Sequence, residues 1–402
     1  MNNKIIKKLS AGMLSVLVFG SQLPSGSALR NNLFLDNVQT QVKKAEKSKI
    51  ELKGIFEVDG LKEALEKIES TDDKFWKYRK DSTRLEIDPA SNSVKIKVMD
   101  KSFDLAYGKL ANKETGEIEE IKIPYGIRRI EAGVFENILK NANAQGKKIR
   151  RIILPETLIY ISDGLFENIL VDSVVVSPNN LHELNTEVFK NNSSLKAVFV
   201  PKRVEKQVKE NLGNRIKVFQ NFELKSAFDI KGLKEAIVDA LANGQKVDFK
   251  QEGGINLGPV LCVGDKEFYP DYSKLKDEKT GKIENLELPY GIRYIGSPII
   301  HTMCCSCSKI LNDSQVNNIV IPDTVENMEK GALCFIKARH IVLSENLKSL
   351  SLNAFGYCVS EVGFGECLIR NMCEVREITI PSKLQNSVKC AFGNAGIKIN
   401  II

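Results

Sequence analysis

The chain has 402 residues, room for two or three ordinary domains or one elongated repeat array, and its 43% hydrophobic and 27% charged residues describe a folded chain. The formal charge of +7 falls by three, to +4, once Lys4, Lys7 and Lys8 leave with a cleaved leader, and that bias is too small to imply a polyanion partner.

That leader is the first element in the chain. Residues 1–28 carry a basic start, an apolar run from Leu9 to Phe19 and the small residues Gly26, Ser27 and Ala28, the pattern of a signal peptide. Export is therefore expected, with no stable transmembrane segment once the leader is removed, because the remaining apolar stretches are shorter than a bilayer span of about 20 residues. Residues 29–54 read as a linker, and from there the chain is written twice. Ile121-Lys-Ile-Pro-Tyr-Gly-Ile-Arg-Arg-Ile130 returns as Leu286-Glu-Leu-Pro-Tyr-Gly-Ile-Arg-Tyr-Ile295, and Gly60-Leu-Lys-Glu-Ala64 returns as Gly232-Leu-Lys-Glu-Ala236. The copies run from about residue 55 to 220 and from about 227 to 402.

Each copy opens on a short amphipathic helix. Leu61, Leu65 and Ile68 share one face in the first, with Asp59 placed to cap the free amides, and Leu233, Ile237 and Leu241 share one in the second. Alternating Leu85, Ile87, Val94, Ile96 and Val98 around Pro-Ala-Ser-Asn-Ser predict a hairpin over 83–98, with a looser equivalent over 247–263. Residues 55–117 and 221–282 are thus expected to be helix–hairpin caps, and 118–220 and 283–402 the sections they introduce.

Those sections carry a finer period. Ile118/Ile121/Ile123-Pro124 recurs as Ile149/Ile152/Leu154-Pro155, Val171/Val174/Val176-Ser177 and Leu195/Val198/Val200-Pro201, at spacings of 31, 22 and 24 residues. The long first gap holds the polar stretch 139–148, read as a loop. Behind the strands come Ile127, Leu158 and Leu181, then Ile130, Ile161 and Leu184, then Phe135, Phe166 and Phe189. The second copy keeps the frame in Ile283/Leu286/Leu288-Pro289, Val316/Ile319/Ile321-Pro322, Ala338/Ile341/Leu343-Ser344 and Val375/Ile378/Ile380-Pro381, with Ile397–Ile402 as a last strand. A unit of about 22 residues cannot bury its own core, whereas stacked units give every apolar position a neighbour above and below. Proline after each strand ends the ladder, since it offers no amide.

The pattern L-x-x-I-x-I-P-x-x-[LVI]-x-x-I-x-x-x-A-F resembles the leucine-rich repeats of the BspA-like family over about 118–201 and 283–402, with Ala354-Phe355 and Ala391-Phe392 matching its small-aromatic pair and Val134-Phe135, Leu165-Phe166 and Val188-Phe189 keeping the Phe. The resemblance implies a leucine-rich-repeat solenoid, a β-strand ladder with irregular outer turns interrupted by small α/β cap-like segments. It also implies a bacterial surface or secreted protein, some relatives being adhesins that bind extracellular-matrix proteins. The cap at 227–263 interrupts the array, and Ile300 stands where the repeat has its aromatic residue.

Alternation along the strands turns one column away from the core: Lys122, Ile153, Val175 and Phe199 in the first copy, Glu287, Val320, Val342 and Thr379 in the second. Five of these eight are apolar, and exposed apolar surface marks a protein contact, unless packing between the copies buries it. A second column, Glu120, Arg151, Ser173 and Ala197 with Asn285, Asn318, His340 and Glu377, adds polar groups. The expected partner-binding face therefore comprises Lys122, Arg151, Ile153, Val175, Phe199, Glu287, Val320, His340, Val342 and Thr379, and the expected partner is a protein or a surface glycan. Basic residues at Lys147, Lys148, Arg150 and Arg151, near Arg128 and Arg129, read as a solvated edge or a contact for acidic glycans. With no reading helix and no aromatic platform, nucleic acid is excluded.

All nine cysteines lie in the second half and most are expected to be small core fillers. Met303-Cys-Cys-Ser-Cys307 lacks the paired spacing of a structural zinc site, so no metal and no other cofactor is assigned. The histidines, His182, His301 and His340, fall in no local catalytic motif. The expected function is non-catalytic binding at the cell surface. An envelope-assembly protein that self-associates through the solenoid face is the alternative, and a thiol-dependent enzyme, with His340 meeting Cys358 or Cys367, a remote one.

Overall fold

The computed structural model describes residues 50–70, 83–177, 185–251, 259–277, 280, 282–296, 316–329, 331–333, 337–350, 354, 374–392 and 397–402. The leader, most of the linker, His182, His301, Ile300, Phe355 and the thiols at 304, 305, 307, 358 and 367 lie outside the described residues.

In the first copy α1 (Leu61–Glu69) leads to a meander of β1 (Thr83–Ile87), β2 (Val94–Val98) and β3 (Lys101–Asp104). The repeats follow as β4 (Ile118–Lys122), β5 (Arg129–Ile130), α2 (Val134–Asn141), β6 (Lys148–Leu154), β7 (Tyr160–Ile161), β8 (Leu170–Val176), α3 (Glu187–Lys190), β9 (Ala197–Val200), α4 (Lys202–Leu212) and β10 (Lys217–Gln220). The second copy contains α5 (Leu233–Asn243), β11 (Val247–Gln251), β12 (Pro259–Val263) and β13 (Lys266–Phe268), then β14 (Ile283–Glu287), β15 (Tyr294–Ile295), β16 (Val316–Val320) and β17 (Asn327–Met328). It closes with β18 (Lys337–Val342), β19 (Ser349–Leu350), β20 (Glu374–Ile380), α6 (Gln385–Phe392) and β21 (Lys398–Ile401).

Two kinds of strand build the solenoid. The longer ones stack in parallel with the expected register: Ile118 and Ile121 face Ile149 and Ile152, and Leu286, Ile319, Ile341 and Ile378 continue rung to rung along β14, β16, β18 and β20. All are buried, and each such side chain contributes roughly 1.5–3 kcal/mol. The two-residue strands form a second ladder, whose existence period-2 patterning cannot signal because alternation needs at least four residues to register. In it β5 and β7 run beside β1 in the order β3-β2-β1-β5-β7, and β13-β12-β11-β15-β17-β19 repeats the arrangement. The hairpins are therefore more than lids: their first strands are the first rungs of the second ladder.

The repeated phrase turns the corner between the ladders. Gly126 and Gly291 both adopt φ 103°, a conformation open to glycine, and a Cβ there would stand 3.1 Å from Leu65 Cδ2 and 2.7 Å from Ile237 Cγ2 on the cap helices. The amides of Gly126 and Gly291 donate to Thr157 Oγ1 (2.8 Å) and Thr324 Oγ1 (2.9 Å) of the next repeat. A helix seated against this turn is what distinguishes the first rung.

Three details differ from the sequence reading. Asp59 caps nothing: α1 and α5 start behind Gly60 (φ 73°) and Gly232 (φ 80°) in the left-handed region, with no side-chain cap. The stretch 139–148 begins in helix, because Phe135, Ile138 and Leu139 make one buried face of α2. The duplication also reaches further upstream, since Ile50-Glu-Leu-Lys-Gly-Ile-Phe56 matches Phe222-Glu-Leu-Lys-Ser-Ala-Phe228 and both end in a 3-10 turn.

By internal contacts the chain divides into two compact units, Met1–Val171 with Val175–Ser194 and Asp172–Val174 with Leu195–Ile402. In the first, Phe135, Phe166 and Phe189 stack at centroid separations of 5.7 and 5.5 Å. In the second, β9, α4 and β10 from the end of the first copy join the whole second copy.

Candidate functional site

The outward columns meet different fates in the two copies. Val175 and Phe199, expected on an open face, are 2% and 0% exposed, and Arg151 is 6% exposed. Within the second unit the cover over β9 and β10 is α5. Lys196 Nζ donates to Asn243 Oδ1 (2.5 Å) and Lys217 Nζ to the carbonyl of Ala242 (3.5 Å), which brings the end of this helix onto the outer side of those strands. The composition of α5 fits that position. Leu233, Ile237 and Leu241 face its own cap, yet Val238 and Ala242 on another side are buried too. Beneath, Ser173 and Ala197 are small and buried, and Phe199 stacks on Phe219 at 5.2 Å. Val175 and Phe199 of the first copy's apolar stripe are thus internal packing. Lys122 and Ile153 remain half-buried, with Lys122 Nζ 3.3 Å from Glu51.

The basic cluster is neutralised locally. Arg150 pairs with Glu117 (2.9 Å) and Glu119 (3.5 Å), Arg151 with Glu120 (3.4 Å), and Lys147 Nζ donates to the carbonyl of Gly116 (3.0 Å). Arg129 lies 4.9 Å over the ring of Tyr160. Arg128, only 3% exposed, pairs with Glu69 (2.5 Å) and donates to the Gly126 carbonyl (2.9 Å), so it ties the end of α1 to the corner turn.

The outer side of β14, β16, β18, β20 and β21 is open. Its apolar members Val320 and Val342 are half-buried, Glu287 is exposed and Thr379 half-buried. Alongside them polar groups link across the rungs. Asn318 Nδ2 donates to Asn285 Oδ1 (3.0 Å), His340 Nε2 lies 2.8 Å from Thr379 Oγ1, and Asn400 Nδ2 donates to Glu377 Oε1 (2.5 Å). Hydrogen bonds from Lys398 and Asn400 hold the Glu377 carboxyl below the usual carboxylate range. A shallow hollow of about 370 Å³ opens here, lined by Glu284, Asn317, Asn318, Arg339, His340, Arg376 and Glu377. Of the ten residues expected to form the face, Glu287, Val320, His340, Val342 and Thr379 come together on one sheet. Asn317, Arg339 and Arg376 were missed, because their column follows a break in strict alternation: residues 284 and 285 are both exposed between buried Ile283 and Leu286.

Among the described residues no cluster of three or more His, Cys, Asp or Glu could hold a metal ion, and no helix is long and apolar enough to cross a membrane. Cys262 sits half-buried on β12, while the side chains of the other eight cysteines lie outside the description, as do the thiols expected near His340.

Parallel ladders of repeated strand units, the shortest of them 22 residues long, alternating with small helices around a buried aliphatic core, define a leucine-rich-repeat solenoid. The chain belongs to the BspA-type leucine-rich-repeat family, whose repeat pattern matches six copies over residues 108–231 and 278–361, just over half its length. Among solved structures it is similar to a leucine-rich cell surface protein from Faecalibacterium prausnitzii A2-165, with 13% identity over 81% of this chain and 94% of that one and a TM-score of 0.20. It is similar also to the pneumococcal vaccine antigen PcpA (16% identity, 77% and 87% covered, TM-score 0.17). A leucine-rich-repeat protein from Bacteroides ovatus ATCC 8483 gives 13% identity, 80% and 98% covered, and a TM-score of 0.15. No curated protein matches by sequence.

Proposed function

We propose that this chain is an exported bacterial surface protein that binds a macromolecular partner, without catalysing a reaction, through the outer face of β14, β16, β18, β20 and β21. The observation that carries the reading is the hollowed, polar outer side of the second copy: Val175 and Phe199 of the first copy's outward column are buried, whereas Val320, Val342 and Thr379 of the second are half-buried and Glu287 exposed. The leader at 1–28 supports export, and the family supports a scaffold whose work is contact.

Self-assembly is the weaker reading. Repeating the α5 contact between chains would require α1 to cover the second face, and α1 presents Glu66 and Ser70 where α5 has Val238 and Ala242. The second face likewise presents His340, Glu377 and Thr379 where the covered one has Ser173, Ala197 and Phe199. Both sides of the joint are polar, and burying them without partners would cost several kcal/mol.

The test is retention of the full-length protein on immobilised matrix proteins, acidic and neutral glycans and isolated cell walls, with Val342→Glu as the probe of the face. Val342 is only half-buried, so the variant is expected to fold and to lose the captured partner. A variant that folds and keeps every interaction overturns the proposed face.

A further inference from the structure

The hollow has a charge pattern that the equivalent rungs of the first copy lack. Arg339 on β18 and Arg376 on β20 stand opposite one another, between the register pairs Ala338–Val375 and His340–Glu377. Adjacent strands lie about 4.8 Å apart, so two guanidinium groups project side by side from neighbouring rungs. Both residues are exposed, and among the described residues neither makes an ion pair or a side-chain hydrogen bond.

Equivalent places in the first copy are arranged otherwise. There Arg339 corresponds to Asp172 and Arg376 to Lys196, and these two pair with each other at 3.0 Å. One strand earlier Arg150 is held by Glu117 and Glu119. Where the first copy has an acid–base rung, the second has a base–base rung. The carboxylates in the hollow are already engaged: Glu284 accepts from Asn317 Nδ2 (2.7 Å), and Glu377 accepts from Lys398 (2.9 Å) and Asn400. Two adjacent cations with no acid partner among the described residues repel one another and stabilise nothing by themselves, so their proximity is explained by a ligand that brings negative charge.

We infer that the Arg339–Arg376 rung, with His340 beside it, binds an anionic group carried on an acidic polysaccharide. The arginines supply the planar donors that suit carboxylate or sulfate oxygens. The amides of Asn285, Asn317 and Asn318 present donors and acceptors at strand spacing, a match for successive sugar hydroxyls. The hollow has no aromatic lining and no large apolar anchor of the kind that carries protein–protein affinity, which favours a polyhydroxyl polymer over an acidic protein. This rests on the proposed receptor role of the second face and specifies what that face receives.

The experiment measures binding of the full-length protein to dextran sulfate, polygalacturonate and neutral dextran at low and high salt. Three proteins are compared: wild type, Arg339→Ala/Arg376→Ala, and Arg150→Ala/Lys196→Ala, which removes the same two charges from the first copy. Wild type is expected to bind at least one acidic polymer and not neutral dextran, with affinity falling as salt rises. The Arg339/Arg376 variant is expected to lose about tenfold or more in affinity and the Arg150/Lys196 variant to stay near wild type. Equal losses in both variants, equal binding of neutral dextran, or no binding to either acidic polymer would overturn the inference. If it fails while Val342→Glu still abolishes capture of another macromolecule, for instance an acidic protein, the receptor reading stands and only the anion site falls.

Discussion

Arg128 and Arg293 occupy the same place in the repeated phrase and have diverged. Arg128 is buried against Glu69 and the corner carbonyl, with the Thr83 hydroxyl 3.3 Å away. In the second copy Leu241 stands where Glu69 does and Val247 where Thr83 does, and Arg293 is exposed. The same joint therefore exists in an ionic and an apolar version. Removing one partner of a buried pair leaves a charge uncompensated, whereas replacing both with apolar groups is often neutral. Arg128→Met alone is expected to cost about 3–5 kcal/mol, and Arg128→Met with Glu69→Leu to return to within about 1 kcal/mol of wild type. Urea unfolding of the two singles and the double closes the cycle; a double mutant as unstable as the sum of the singles would show that the pair is not coupled.

At the scale of elements, the phenylalanine spine joins three successive repeats. Phe166 is its middle ring, fully buried and stacked on both sides. Phe166→Ala is expected to cost about 3–5 kcal/mol, read from thermal or urea unfolding, because the cavity opens between two rungs that cannot close around it independently. The two cap helices show what element context does to one motif. Both begin Gly-Leu-Lys-Glu-Ala, but α1 buries one stripe and α5 two. The second stripe of α5, Val238 and Ala242, is visible in the sequence as excess apolar content. Its target is not, because the strands it covers lie some 20 and 40 residues upstream in the chain, and only the folded arrangement brings them beneath it.

At the scale of the molecule, Tyr290 is a link inside the second unit between the end of the first copy and the start of the second. Its ring stacks on Phe222 at 5.6 Å and its hydroxyl accepts from the Gln220 amide at 3.0 Å. Burial pushes the Tyr290 phenol from near 10 up to about 12. The unfolded chain thus ionises first. This contribution to stability is complete below pH 10 and is lost as the pH rises towards about 12. Between those pH values Tyr290→Phe is expected to lose stability less steeply than wild type in urea unfolding; parallel curves would mean that the phenol titrates as in the open chain.

The repeat frame, the duplication and the aliphatic positions were legible because they depend on local period: a buried position recurs wherever the backbone geometry recurs, and stacking requires the same residue type at each rung. Ile121, Ile152, Leu286 and Ile319 are core by that rule alone. Which outward residues meet solvent follows no period, since it depends on what another part of the chain lays over them. Val175 and Val342 are the same residue in the same column. The first is buried and the second half-open, and Phe199 and Thr379 differ in the same way: inside the second unit α5 lays a second apolar side and lysine contacts against β9 and β10, while nothing among the described residues does so for the polar face that holds Val342. Local chemistry determined the solenoid; tertiary packing decided which of its outward residues are covered and which stay open to solvent.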